Sequence, residues 1–270
     1  MVLVSHLKAP EPKPPHKTPP ALEAKGLYVP RGSRDVVLDV SFAVQSHSVV
    51  ALIGRNGSGK TTLLKALAGL IPSRGSIDVL GQSLAGLDRR QRAQQVAYVP
   101  QHSLLDVPME VRDVVAQGRL AHASHFSRPS SKDRSAVEEA MSAADVTQFA
   151  SRPFTSLSHG ERHRVLIARG LATQAPVLLL DEPTAGLDIE HVLSLLNLVK
   201  TLAAAGRAVL IVLHPLAEVQ DAATTVAVLS EGRMVAHGPT QTVLSPSLVH
   251  EVYNVHAVVG GAWGFRQSEG

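Results

Sequence analysis

"SVVALIGRNGSGKTTLLKALAGL", Ser48–Leu70, places three physical demands side by side. Val49 to Ile53 are apolar without alternation, the pattern of a strand buried on both faces as in a parallel sheet. Gly54–Thr62, "GRNGSGKTT", then fits G-x-x-x-x-G-K-[ST] at every position, directly after the strand and opening a helix. "TTLLKALAGL" carries a helical apolar stripe that stops at Gly69, with Pro72 beyond. Glycines let the backbone turn so that successive N–H groups face one anion, and the helix adds its positive end. Gly54, Arg55, Asn56, Gly57, Ser58, Gly59, Lys60, Thr61 and Thr62 are therefore the candidate phosphate cradle. Lys60 is placed to reach terminal phosphates, and the Thr61 hydroxyl to bind Mg²⁺. A strand-to-helix turn that binds nothing is the alternative; a complete motif in this context argues against it.

A second greasy run, "VLLLDEPTAGLD" (Val177–Asp188), ends abruptly in two adjacent carboxylates, Asp181 and Glu182. Charges where a buried strand leaves the core are costly unless they have partners such as a metal ion. In open α/β sheets that is also the edge where ligands sit. An apolar strand ending in Asp, downstream of a phosphate loop, is the pairing used for a magnesium nucleotide. Asp181 is then expected to hold the Mg²⁺ shell, and Glu182 to orient and deprotonate an attacking water.

Patterning elsewhere supports an α/β class. "VVLDVSFAV" alternates like a half-buried antiparallel strand, whereas "GSIDVLG", "QQVAYVPQ" and "AVLIVLHP" read as further short strands. From Arg112 to about Ala150 the pattern is helical, interrupted by a predicted loop "SHFSRPSSKDRS", and another helix spans about Gly160 to Thr173. Strands alternating with helices predict a mostly parallel sheet with helices on its faces. The helical stretch of about 106–171 reads as a separate lobe inserted into it.

Composition narrows the function classes. A formal charge of +3 with no long basic run argues against a dedicated nucleic-acid binder. With no cysteine, disulfides, thiolate metal sites and cysteine nucleophiles are excluded. Among 13 histidines, the pair His122/His125 lacks a supporting carboxylate pattern and reads as surface. No apolar run approaches the roughly 18–20 residues of a membrane span. Residues 1–20 lack the pattern of a signal peptide, turn proline-rich from Pro10, and are expected to be extended or disordered. The folded part is expected to start near Ala21, in a soluble intracellular chain that reaches a membrane only through a partner.

Taken in order, these segments resemble the ATP-binding cassette (ABC) ATPases over nearly all of the chain from about residue 21. "YVPQ" places Gln101 at the family's glutamine loop, "LSHGE" (Leu157–Glu161) resembles its signature motif, "AGLD" supplies Asp188, and "IVLH" supplies His214. The resemblance implies a phosphate-loop fold with a mostly parallel core sheet, an antiparallel β subdomain and a helical subdomain. It implies ATP and Mg²⁺ as cofactors, with Gln101 on Mg²⁺ and sensing a membrane partner, and His214 on the γ-phosphate. In the family, Ser158, His159, Gly160 and Glu161 of one copy face the phosphate loop of another across a head-to-tail homodimer. Asp188 lies in the loop that crosses this interface. Lys60, Mg²⁺ and the opposing Ser158 would stabilise the transition state.

Three positions depart from the family pattern: His159 replaces a usual glycine, Arg31 stands where an adenine-stacking aromatic is usual, and Pro215 follows His214. Arg31 can stack through its planar guanidinium, while Tyr28 is out of step on its strand. Gly118, Arg119, His122, Phe126 and Arg128 match a spacing of importer ATPases for ferric siderophores, haem and cobalamin. The implied machine is therefore an importer with ferric siderophore as first-choice substrate. It would comprise a membrane permease docked beside Gln101 and Leu104 to Arg112, an extracytoplasmic binding protein, and this chain at the cytoplasmic face of the inner membrane. A cassette for another substrate, such as a metal ion, or a soluble regulatory cassette without a permease, remains the alternative.

Overall fold

In the computed structural model of the chain, the described residues are 19–101, 108–123, 128–260 and 262–267, with 256–267 described as backbone only. Residues 1–18 of the proline-rich tail, Leu104, His125 and Phe126 lie outside the described residues.

Chain order opens with β1 (Leu22–Arg31), β2 (Arg34–Val44), β3 (Ser48–Ile53), α1 (Lys60–Leu67), β4 (Arg74–Val79), β5 (Gln82–Ser83), α2 (Arg89–Gln95) and β6 (Val96–Val99). Then follow α3 (Val111–Ala116), α4 (Ser131–Ala143), α5 (His159–Ala172), β7 (Val177–Leu180), α6 (Ile189–Ala204), β8 (Ala208–Val212) and α7 (Leu216–Ala222). The chain closes with β9 (Thr225–Ser230), β10 (Arg233–Pro239), α8 (Thr240–Val243), α9 (Pro246–Tyr253), β11 (Val255–Gly260) and β12 (Ala262–Gln267).

The continuous apolar runs become the interior of a six-stranded sheet, ordered β10-β9-β3-β8-β7-β6, parallel except for the edge strand β10. Their lack of alternation has a direct cause. Val49, Ala51, Ile53, Leu178, Leu180, Val209 and Ile211 enter one core; Val50, Leu52, Val177, Leu179, Leu210 and Val212 enter the other. Both faces are therefore dry, and each fully buried Leu or Val contributes about 1.5–3 kcal/mol relative to exposure. With both faces apolar, polarity does not set the register of these strands. Their polar ends do, since Asp181 and His214 must emerge at the same edge.

The second core lies between this sheet and a four-stranded antiparallel sheet, order β2-β1-β4-β5, with α1 packed into it. The first core runs without a break from the sheet into α3, α4 and α5. The predicted lobe thus shares its interior with the sheet, because α5 presents Val165, Ile167 and Ala168 to both. The predicted loop "SHFSRPSSKDRS" is also shorter than expected: α4 already begins at Ser131. A capping box sets that start, with the Ser130 hydroxyl accepting from Asp133 N and the Asp133 carboxylate accepting from Ser130 N. Helix α2 is absent from the sequence reading, since none of its residues is buried and it carries no apolar stripe.

The positions Gly118, Arg119 and His122 form a joint between the helices and the sheet edge. A Cβ on Gly118 would sit 2.3 Å from the Arg169 carbonyl oxygen, so only glycine fits there. Arg119 donates to the Ala172 carbonyl at 2.9 Å and to Asp133 Oδ1 at 2.9 Å, placing a cation at the carboxyl end of α5. His122 Nε2 lies 2.9 Å from the Thr173 carbonyl, and Arg90 of α2 donates to the Ala121 carbonyl. Arg119→Ala would remove the cation from Asp133 Oδ1 while Ser130 still donates to Oδ2, and would free the Ala172 carbonyl at the end of α5. The expected cost is about 1–2 kcal/mol, read as a lower denaturation midpoint, with Arg119→Lys intermediate.

Candidate active site at the carboxyl edge of the sheet

Four neighbouring strands, β3, β8, β7 and β6, deliver their carboxyl ends to one edge of the sheet. The loop after β3 is Gly54–Gly59, that after β7 begins at Asp181, β8 leads to His214 and β6 to Gln101. Sequence positions spread over more than half of the chain meet there. They surround a cavity of about 640 Å³ lined by Arg31, Val36, Asn56, Gly57, Gly59, Lys60, Thr61, Thr62, Gln101, Glu182 and His214.

The loop wraps around this space because its glycines take backbone angles closed to other residues: φ is +147° at Gly54, +82° at Gly57 and +105° at Gly59. Gly59 is the N-cap of α1, whose own first turn contains no acidic residue, so no residue of the helix itself opposes its positive end at the cavity. Lys60 is buried, and its ammonium donates to the Gly54 and Arg55 carbonyls at 2.8 and 3.0 Å. Burial lowers its pKa, against the pull of Glu182 and Asp181. The cationic head is therefore held ready by main-chain carbonyls, with no carboxylate ion pair to break before an anion binds. Arg55 is exposed and does not line the cavity; Ser58 is buried beneath the loop, and its hydroxyl has no hydrogen-bond partner.

Asp181 is 1% exposed. Its Oδ1 accepts from the Thr61 hydroxyl at 3.1 Å and its Oδ2 from the Tyr98 hydroxyl at 3.0 Å. Burial raises its pKa, and the Tyr98 and Thr61 hydrogen bonds oppose that rise. Glu182 is held differently. Gln101 Nε2 donates to its Oε2 at 2.6 Å, and His214 Nε2 lies 2.7 Å from its Oε1. Glu182 adopts a left-handed backbone, φ +49°, which costs a non-glycine residue about 1–3 kcal/mol and is characteristic of functional sites.

The signature residues lie elsewhere on this chain. Ser158 is the N-cap of α5, its hydroxyl accepting from Glu161 N at 3.3 Å while Glu161 Oε2 accepts from Ser158 N at 2.7 Å. Ser158, His159, Gly160, Glu161 and Asp188 do not line the cavity. The His159 ring stands over Gly186, where a Cβ would come within 3.1 Å of its Cδ2. Asp188 caps α6 and pairs with His191 at 2.6 Å. Tyr28 lies under the Arg74 guanidinium, 5.5 Å from the ring centroid, and does not line the cavity, whereas Arg31 does.

Three neighbours of the site escaped the sequence reading. Tyr98 carried a signal, being a polar-tipped residue inside an otherwise apolar strand. Tyr253 of α9 engages the backbone of Gly54, and burial raises its pKa to about 12. Glu218 of α7 bonds the Thr184 hydroxyl while its Oε2 is buried without a partner. Burial raises the Glu218 pKa, against Thr184 and His214. A carboxyl whose folded pKa is raised stabilises the fold below its unfolded value of about 4.5, and that contribution is lost as pH climbs through the folded value. Glu218→Gln should therefore raise the thermal midpoint at neutral pH and flatten its decline from mildly acidic conditions upward. Differential scanning fluorimetry across that range reads both.

A phosphate cradle, a buried Asp paired with the cradle threonine, and a second carboxylate at the cavity rim define a phosphate-loop nucleotide hydrolase. The family model for ABC transporters matches residues 37–185. The chain is 43% identical over 247 residues to the hemin import ATP-binding protein HmuV of Streptomyces coelicolor, covering 91% of this chain and 88% of that one. It is 38% identical over 241 residues to the cobalamin import ATP-binding protein BtuD of Halobacterium salinarum, covering 88% of this chain and 60% of that one. An inward-facing ABC transporter structure assigned to the metal-chelate type superposes with a TM-score of 0.77 at 26% identity, covering 92% of this chain and 97% of that one. The chain belongs to the ABC transporter family. It is an ATP-binding subunit whose ATP hydrolysis powers transport. Among the described residues no helix is long and apolar enough to cross a membrane.

Proposed function

We propose that this chain hydrolyses ATP for an importer of an iron chelate, acting through a separate membrane permease. The observation that carries the chemistry is the pair of adjacent carboxylates, buried Asp181 bonded to the cradle Thr61 and Glu182 at the cavity rim held by Gln101 and His214. The donor set fits Mg²⁺: Thr61, Asp181 and Gln101 offer hard oxygens beside the phosphate cradle, as that ion requires. Magnesium bound there would neutralise charge on the terminal phosphates. Lys60 and the loop N–H groups orient those phosphates, and Arg31 takes the base. Glu182 accepts the proton of the attacking water after exchanging its present partners for it, and His214 turns to the γ-phosphate.

Residues 21–270 constitute the cassette, with a helical lobe of about 106–171, and residues 1–20 form a separate proline-rich segment. Two copies close head to tail, bringing Ser158, His159, Gly160, Glu161 and Asp188 of one to the nucleotide of the other. That need fits the absence of these residues from the cavity of a single chain. The permease positions the dimer at the cytoplasmic face of the inner membrane, and an extracytoplasmic binding protein delivers cargo.

For the cargo, the names of the relatives favour hemin, then cobalamin. The spacing around Gly118, Arg119 and His122 is compatible with a ferric siderophore as well. Affinity capture of the tagged chain from gently solubilised native membranes tests the reading. Co-purification of a multi-spanning permease is expected, and uptake by the reconstituted complex, assayed with hemin, cobalamin and a ferric siderophore in turn, assigns the substrate. A chain recovered as a dimer without any membrane protein would support the regulatory alternative instead.

A further inference from the structure

The end of β6 supplies one donor to each of the two carboxylates, Tyr98 to Asp181 and Gln101 to Glu182. We propose that Tyr98 is a positioning residue for magnesium binding, its hydroxyl fixing the Asp181 carboxylate in the orientation that faces the Thr61 hydroxyl. This rests on the reading above in which Thr61 and Asp181 hold the metal.

The Asp181 backbone is fixed independently of the Tyr98 hydroxyl, whereas its carboxylate is held, among the described residues, by only two side-chain donors. The backbone of Asp181 is anchored by its N–H to the Val99 carbonyl at 3.0 Å, continuing the β6–β7 ladder in which Tyr98 pairs with Leu179. The Tyr98 ring packs against the core beneath α1, so the hydroxyl is presented by a stiff, anchored group. Asp181 itself is almost fully buried, and each of its oxygens has one side-chain donor, Thr61 on Oδ1 and Tyr98 on Oδ2. Without the Tyr98 hydroxyl, Oδ2 would be a buried oxygen with no side-chain donor, free to rotate away from the orientation that faces Thr61. That rotation withdraws an oxygen from the metal position. A group that orients a metal-holding carboxylate typically changes metal affinity about 10–100-fold when removed.

The test is Tyr98→Phe in the full chain, which deletes one oxygen and keeps the packed ring. Equilibrium binding of a fluorescent ATP analogue is titrated with Mg²⁺ and repeated in EDTA. The half-saturating Mg²⁺ concentration should rise about 10–100-fold while affinity in EDTA stays unchanged. In an Asp181→Asn background the same substitution should add no further shift. A Mg²⁺ dependence equal to wild type, or an equal loss of affinity with and without Mg²⁺, would overturn the role of Tyr98. Wild-type binding that is indifferent to Mg²⁺ would instead overturn the underlying assignment of Thr61 and Asp181.

Discussion

Glu182→Gln is expected to lose steady-state ATP turnover by about a hundredfold to ten-thousandfold, the range that a general base supplies. Binding of ATP should persist, because the amide matches the carboxylate in size and the cradle is built from Lys60 and the loop backbone. One carboxylate oxygen now meets Gln101 at 2.6 Å and the other His214 at 2.7 Å, so the substitution removes proton-accepting capacity with little change in packing. The second consequence is mechanical. If hydrolysis reopens the head-to-tail dimer, the variant with ATP should accumulate as a stable dimer on size-exclusion chromatography, whereas wild type dissociates as it turns over. Turnover at the wild-type rate would remove Glu182 from the role of base.

Gly54→Ala should be the most damaging substitution for the fold in this region. Gly54 sits at φ +147°, and an added Cβ would come 2.0 Å from the Leu229 carbonyl oxygen. That oxygen is backbone on β9, the strand paired with β3, so no side-chain rotation relieves the clash. Overpacking of about 1–3 kcal/mol combines with backbone strain of similar size, a total of about 2–6 kcal/mol. For a domain of this size that lowers the thermal midpoint by on the order of 10 °C, measurable by calorimetry. Gly57→Ala is the informative comparison, since its Cβ would meet no atom within 4 Å and only the strain of φ +82° remains. A Gly54→Ala protein as stable as the Gly57→Ala protein would contradict the packing account.

Much of this was legible in the linear sequence because the relevant physics is local. A phosphate loop needs glycines, a lysine and a threonine at set offsets, and the carboxylates must follow their strand directly. Gly54–Thr62 and Asp181–Glu182 could therefore be assigned to strand ends from residue order alone. The start of α4 could not be placed from periodicity. Its first turn is polar, and only the reciprocal Ser130–Asp133 cap marks it. Helix α2 was invisible for a related reason, since it buries no residue that could impose a period.

By itself, the sequence determined the class of fold, the cradle and the identity of the paired acids. Which side chains hold those acids was decided only in three dimensions. Tyr98, Gln101 and His214 come from β6, β8 and the turns that follow them, and nothing in their spacing states that β7 lies between β6 and β8. The partition of Val and Leu between two cores likewise depends on sheet order, because a strand buried on both faces carries no alternation to reveal it. Residues close in sequence meet through local geometry, whereas these meet only because the parallel sheet aligns the ends of four distant strands at a single edge.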